Sequence, residues 1–185
     1  MRKTVPPAGI LIVASIVVVA CARSGGTAET GASANQAPAK SSSATPVTAL
    51  DACTLLTKQE AAAALGEAVK EPTSTGAGSA VTPGINAAVS SCDYESATTT
   101  HDVKLNVYRS SPDLAAQLRQ TYQAVVCAKK EPLSGLGDVA CWYDSNHGEL
   151  QVLKGATLLV VELSRRGDAT EAITTVAKKA LARVP

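Results

Sequence analysis

Phenylalanine is absent from this chain, and four tyrosines and one tryptophan are its only aromatic residues. Alanine, valine and leucine must therefore fill most of any core, which is expected to be compact and rather small. A strong charge of either sign is also missing. The formal net charge is +1, and beyond residue 20 the 15 Lys+Arg face 16 Asp+Glu, so nothing electrostatic points to nucleic acid as a partner. Histidine is nearly lacking: His101 and His147 both fall in predicted turns, where solvated surface positions are expected, and no cysteine spacing is tight enough for a zinc site. No cofactor and no metal site is expected. There is no internal repeat and no Gly-x-Ser-x-Gly; Ser134 has Gly135 after it but Leu133 before it, and nothing nearby suggests a base. An apolar run long enough to span a bilayer is also lacking, since the longest, Ala8 to Ala20, is about 13 residues against the roughly 20 required.

That short run is informative. Arg2 and Lys3 give a positive start, the apolar stretch follows, and it ends Val18-Val19-Ala20-Cys21. Residues 1–20 read as a cleaved signal peptide. The four closing residues resemble a bacterial lipobox, in which a small residue precedes a cysteine that is diacylated before cleavage. Ala20 fits that pattern, whereas Val18 stands where leucine is usual and Val19 where a small residue is usual. An ordinary signal peptide with a chance cysteine, or an uncleaved anchor, is the plainer alternative. A diacylglyceryl group on Cys21 would hold the protein at the outer face of the cell membrane. One acyl chain anchors only marginally, whereas two, at about 0.8 kcal/mol per buried methylene, anchor stably.

Residues 21–49 carry the lipidated cysteine and a tether of Ala, Ser, Thr, Gly, Pro, Gln and Asn, with Arg23, Glu29 and Lys40 as its charges. This composition buries too little to offset chain entropy and is expected to be disordered. Residues 50–185 form a single α+β domain with the order α-β-β-α-β-β-β-α: an antiparallel sheet of about five strands with helices packed on it, stapled by two disulfides. Thr57-Lys58-Gln59-Glu60 is a capping box and Gly66 a helix stop. Residues 70–87 read as a loop, broken by Pro72, Gly76, Gly78, Pro83 and Gly84. Val89–Tyr94 is a strand candidate, and Val103, Leu105 and Val107 alternate with polar neighbours as in a half-buried strand. Ser111-Pro112 opens a helix whose apolar stripe is Leu114, Leu118, Tyr122 and Val125. Val139–Tyr143 is a strand after a glycine turn. Glu149–Leu153 and Thr157–Leu163 form a hairpin, the latter apolar on both faces and so central. Asp168 and Glu171 cap a last helix that buries Ile173, Val176, Ala177, Ala180, Leu181 and Val184.

Setting Cys21 aside leaves Cys53, Cys92, Cys127 and Cys141, which in an exported domain imply two disulfides with three possible pairings. Asp51-Ala-Cys53-Thr-Leu-Leu-Thr57, Ser91-Cys92-Asp93-Tyr94 and Gly135-Leu-Gly137-Asp138-Val-Ala140 resemble, in this order, motifs of an actinobacterial lipoprotein family catalogued as domain of unknown function 3558. The resemblance covers about residues 50–184. It implies a cell-envelope lipoprotein of a high-GC Gram-positive bacterium. It also implies that Cys53 pairs with Cys92, since these sit in two of the motifs, and leaves Cys127 and Cys141 for a second bridge. The family has no assigned activity, so the resemblance implies none.

The remaining signals are modest. Gly135-Leu-Gly137-Asp138-Val-Ala140 superficially matches a dinucleotide fingerprint, but Pro132 precedes it and a Cys-Trp-Tyr strand follows, so a tight turn is expected. Asp93 and Glu95 share one side of a strand, where an exposed face explains them as well as acid–base work does. Trp142 and Tyr143 point to opposite faces; one belongs to the core and the other to a possible binding surface. Arg165-Arg166 reads as a solvated turn. The expected function is a membrane-anchored extracytoplasmic binding or interaction domain for a protein, glycan, lipid or small-molecule ligand. The alternative is an envelope hydrolase or accessory enzyme whose groups converge only in three dimensions.

Overall fold

The computed structural model describes residues 47–82 and 85–185. The expected signal peptide, the lipidation expected at Cys21 and the expected tether up to residue 46 lie outside the described residues. The rest is an α+β domain built on a six-stranded antiparallel sheet. Two short helices, α1 (Ala52–Leu55) and α2 (Lys58–Leu65), precede strands β1 (Thr73–Thr82), β2 (Ile85–Glu95) and β3 (Asp102–Ser110). Helix α3 (Ala115–Thr121) follows, then β4 (Val139–Trp142), β5 (Glu149–Lys154), β6 (Thr157–Ser164) and the C-terminal helix α4 (Thr170–Arg183). The strand order is β1-β2-β3-β6-β5-β4. β6 lies between β3 and β5, the central place that its two apolar faces require.

The sixth strand is β1, within the segment read from sequence as a loop. Apart from Val81, Thr73–Thr82 consists of Thr, Ser, Gly and Ala, so hydrophobic alternation cannot reveal it; what forms it is the backbone ladder to β2. A register shift between Thr75 and Gly78 marks a bulge, the usual role of glycine in an edge strand.

One sheet face carries the main core. Leu105, Val107, Leu150, Val152, Leu159 and Val161 meet Ile173, Val176, Ala177 and Ala180 of α4 together with Leu55 and Leu56. Leu181 is only partly buried at the margin of this face. The N-terminal segment is held by three successive core-facing residues of β2. Ser90 bonds the Leu50 carbonyl and the Ala52 amide, Cys92 is bridged to Cys53, and the Tyr94 hydroxyl donates to the Leu56 carbonyl at 2.9 Å. Asp51 caps α1, and both halves of the Thr57–Glu60 capping box are formed.

Glu60 does more than cap. The Arg183 guanidinium donates to both of its oxygens, at 2.7 and 2.9 Å, and to the Leu55 carbonyl at 2.7 Å. The end of α4 is thereby tied to α1 and α2, and Arg183 holds the Glu60 carboxyl down at about 2. Glu60→Gln is expected to cost about 1–2 kcal/mol at neutral pH, the scale of a lost charge-assisted bidentate pair. The folded-state pKa lies below its ordinary value of 4.5, so this contribution is complete above that pH and fades as pH falls toward 2. Denaturant unfolding of both proteins should therefore show a gap at pH 7 that narrows in acid; a gap that is equal at both ends would contradict the assignment.

Three other elements differ from the sequence expectations. Ser111 does not cap through its side chain, and Pro112 opens a 3-10 turn rather than an α-turn. α3 runs into a π-turn, Tyr122–Val126, closed by Cys127 N–H donating to the Tyr122 carbonyl at 2.7 Å. The widened turn advances the apolar stripe by one residue, so Val126 is half-buried while Val125 is 72% exposed. At α4 the N-cap position is Ala169; Asp168 accepts from the Thr170 amide at 2.8 Å from one residue further out, and Glu171 lies in the first turn.

Candidate functional site

Both disulfides are present. Cys53–Cys92 and Cys127–Cys141 have Cα separations of 5.0 and 5.7 Å. The second lies on the sheet face opposite the main core and fastens the end of the α3 segment to β4.

That fastening borders a concavity on the second face. α3 and its π-turn cover only part of the second face, and between them and the sheet is a cleft of about 330 Å³. This lies within the range of small-molecule sites. The sheet register dictates its lining. Every second residue of β3, β5 and β6 points here, which makes cross-strand rows. One row pairs Tyr108 with Leu158 and Leu158 with Leu153; the next pairs Asn106 with Val160 and Val160 with Gln151; the next places Glu162 opposite Glu149. Leu118 and Tyr122 close the cleft from above. It thus grades from an apolar end to an end carrying two carboxylates.

Its polar groups are only partly engaged. Glu162 accepts from Asn106 Nδ2 at 2.8 Å, and Glu149 accepts from Gln151 Nε2 at 2.8 Å. Burial raises the Glu162 carboxyl above its ordinary value; Lys104 opposes this, while Glu149 and Asp102 add to it. Burial, helped by Tyr108 and Glu149, pushes the Tyr122 hydroxyl up to about 12. None of these residues stands out in the sequence as a ligand group, and Tyr122 reads there only as part of an apolar helix stripe. The one available signal was Glu162, a lone charge in an otherwise apolar central strand.

Trp142 is 3% exposed, with its ring in the core and its centroid 4.6 Å from that of His147, so it is not part of a binding surface. It falls on the core face because β4 alternates and Ala140 shares that face. Tyr143 is 47% exposed, and the Lys130 ammonium lies 4.5 Å from its ring centroid.

Neither histidine is simply solvated. His101 Nδ1 is 2.8 Å from Glu67. The hydroxyls of Thr99 and Thr98 also donate to Glu67, and with His101 they hold its carboxyl at about 2. This joins the end of α2 to the β2–β3 turn. His147 has φ +55° and contacts Glu131 at 3.0 Å and the Thr170 hydroxyl at 3.3 Å. Thr170, His147 and Glu131 resemble a nucleophile–base–acid series. However, the Glu131 side chain is 66% exposed, where an ion pair contributes little, so the trio acts as a tie between the β4–β5 turn and α4.

The glycine turn is structural. Gly135 and Gly137 take φ of +78° and +57°, and the Asp138 carboxylate accepts from the Gly155 amide at 2.7 Å. A Cβ on Gly137 would fall 2.4 Å from the Leu153 carbonyl oxygen, so only glycine fits there. Asp93 and Glu95 do share the second face, but their surroundings separate them. Burial, then Asp102, raises the Asp93 carboxyl, whereas the Lys70 ion pair lowers that of Glu95. Arg165 is not a solvated turn residue: its guanidinium donates to the Ala64 carbonyl at 2.8 Å and the Asp168 carbonyl at 2.6 Å. Among the described residues no group of His, Cys, Asp and Glu is placed to hold a metal ion, and no helix is long and apolar enough to cross a membrane.

No protein-family model matches the chain, and neither a curated protein nor a solved structure does.

Proposed function

We propose that the chain is an extracytoplasmic lipoprotein, anchored at the outer face of the cell membrane by a diacylglyceryl group on Cys21, whose folded part binds a small molecule in the cleft beneath α3. The anchor is supported by the positive start, the short apolar run and the lipobox-like Val18–Cys21. The ordered motifs that resemble the lipoprotein family of unknown function support the same placement. The binding role is carried by one observation: a cleft of about 330 Å³ with an apolar floor and a few convergent polar groups. Because α3 spans only part of the sheet, the second face is left concave rather than sealed. Thr170, His147 and Glu131 are the arrangement nearest to a hydrolase series, and the exposure of Glu131 tells against that trio.

Native mass spectrometry of the protein extracted from its own envelope tests the binding role. The expected result is a fraction carrying a guest of small-molecule mass. Gln151→Trp, which puts an aromatic ring into the cleft from the middle of β5, should abolish that fraction with little change in melting temperature. A guest retained by this variant would place the site elsewhere.

A further inference from the structure

We infer that the cleft takes an organic cation, a primary ammonium on a short apolar body, with the charged group between Glu149 and Glu162 and the body over Leu118, Leu153 and Leu158. This rests on the reading of the cleft as a ligand site and adds the class of ligand.

The β5–β6 register sets Glu149 directly opposite Glu162. Side chains so placed have Cβ atoms about 5 Å apart, and like charges there repel. Neither glutamate forms an ion pair among the described residues, and the cation that acts on Glu162 is its cross-strand neighbour Lys104. The same cross-strand row continues from Glu162 to Lys104 on β3 and then to Asp93 on β2, and Asp102 stands nearby. Lys104 is thus the one cation in a row with three carboxylates, and it flanks Glu162 on the side away from Glu149. The Asn106 and Gln151 amides use one acceptor site on each carboxylate and leave the others open. Tyr108 and Tyr122 line the same cleft with Leu118, Leu153 and Leu158 and suit the apolar body of such a ligand. Burial is the main cause of the upward displacement of the Glu162 carboxyl, and the negative potential of Glu149 and Asp102 adds to it against the pull of Lys104. An anionic ligand would meet that potential, and a neutral one would leave it uncompensated.

Three probes with a common benzyl group decide the matter with the full chain in detergent at low salt: benzylamine, benzyl alcohol and phenylacetate. Ligand-observed NMR titration should show benzylamine binding at least tenfold more tightly than benzyl alcohol, and phenylacetate more weakly than either. Joint Glu149→Gln and Glu162→Gln replacement should remove the tenfold preference for the amine over the alcohol, since both carboxylate charges are lost. Equal affinity of the unaltered chain for amine and alcohol would overturn the cation assignment but leave the cleft a ligand site. If no probe binds and the extracted protein also carries no guest, the cation assignment and the cleft reading both fall.

Discussion

Joint replacement of Cys53 and Cys92 by alanine is expected to lower the stability of the domain by about 4 kcal/mol. The bridge spans a sequence separation of 39 residues, and closing a loop of that length in the unfolded chain accounts for about that much. It also fastens the part of the fold least able to hold itself. α1 has four residues and α2 eight, both far below the length at which a helix persists alone. Their burial rests on Leu55, Leu56, Ala61 and Leu65 and on the grip of Ser90, Cys92 and Tyr94 from β2. Removing Cys127 and Cys141 together should cost less, about 3 kcal/mol, because that bridge closes a separation of 14. Denaturant unfolding of the oxidised protein and the two double variants checks both the size and the ranking. A loss under about 1 kcal/mol for the Cys53/Cys92 pair would mean that the N-terminal helices dock without the bridge.

The parts of the fold that were legible in the sequence share one property: their hydrophobic pattern and their local chemistry agree. Val103, Leu105 and Val107 alternate and form β3; Thr157–Leu163 is apolar on both faces and is central; Thr57 and Glu60 spell a capping box and form one. β1 was not legible because Thr, Ser, Gly and Ala give no alternation to read, and its existence depends on a partner strand. The Cys53–Cys92 pairing was not legible from cysteine spacing, which leaves three pairings open; it came from a resemblance to a family. The cleft was hidden for a different reason. Asn106, Tyr122, Glu149 and Glu162 come from four separate elements, and each is ordinary in its local setting. Only the cross-strand register brings Glu149 to Glu162, and only the Cys127–Cys141 bridge with the π-turn holds α3 over part of the face. Trp142 and Tyr143 show the limit of alternation: it separates two faces without saying which one is wet.

The effect on location should be the largest of all. On the proposed lipoprotein reading, attachment rests on the lipid at Cys21. Two acyl chains at about 0.8 kcal/mol per methylene hold a protein firmly, while a single chain or none does not. Cys21→Ala should therefore move the protein from the membrane to the soluble extracytoplasmic fraction, or stall it as an uncleaved precursor. Intact-mass and N-terminal peptide mass spectrometry of the unaltered, membrane-bound protein is the most direct measurement. The expected species begins at Cys21 and carries a diacylglyceryl group; a mature terminus at another residue, with no lipid, would contradict the lipoprotein reading.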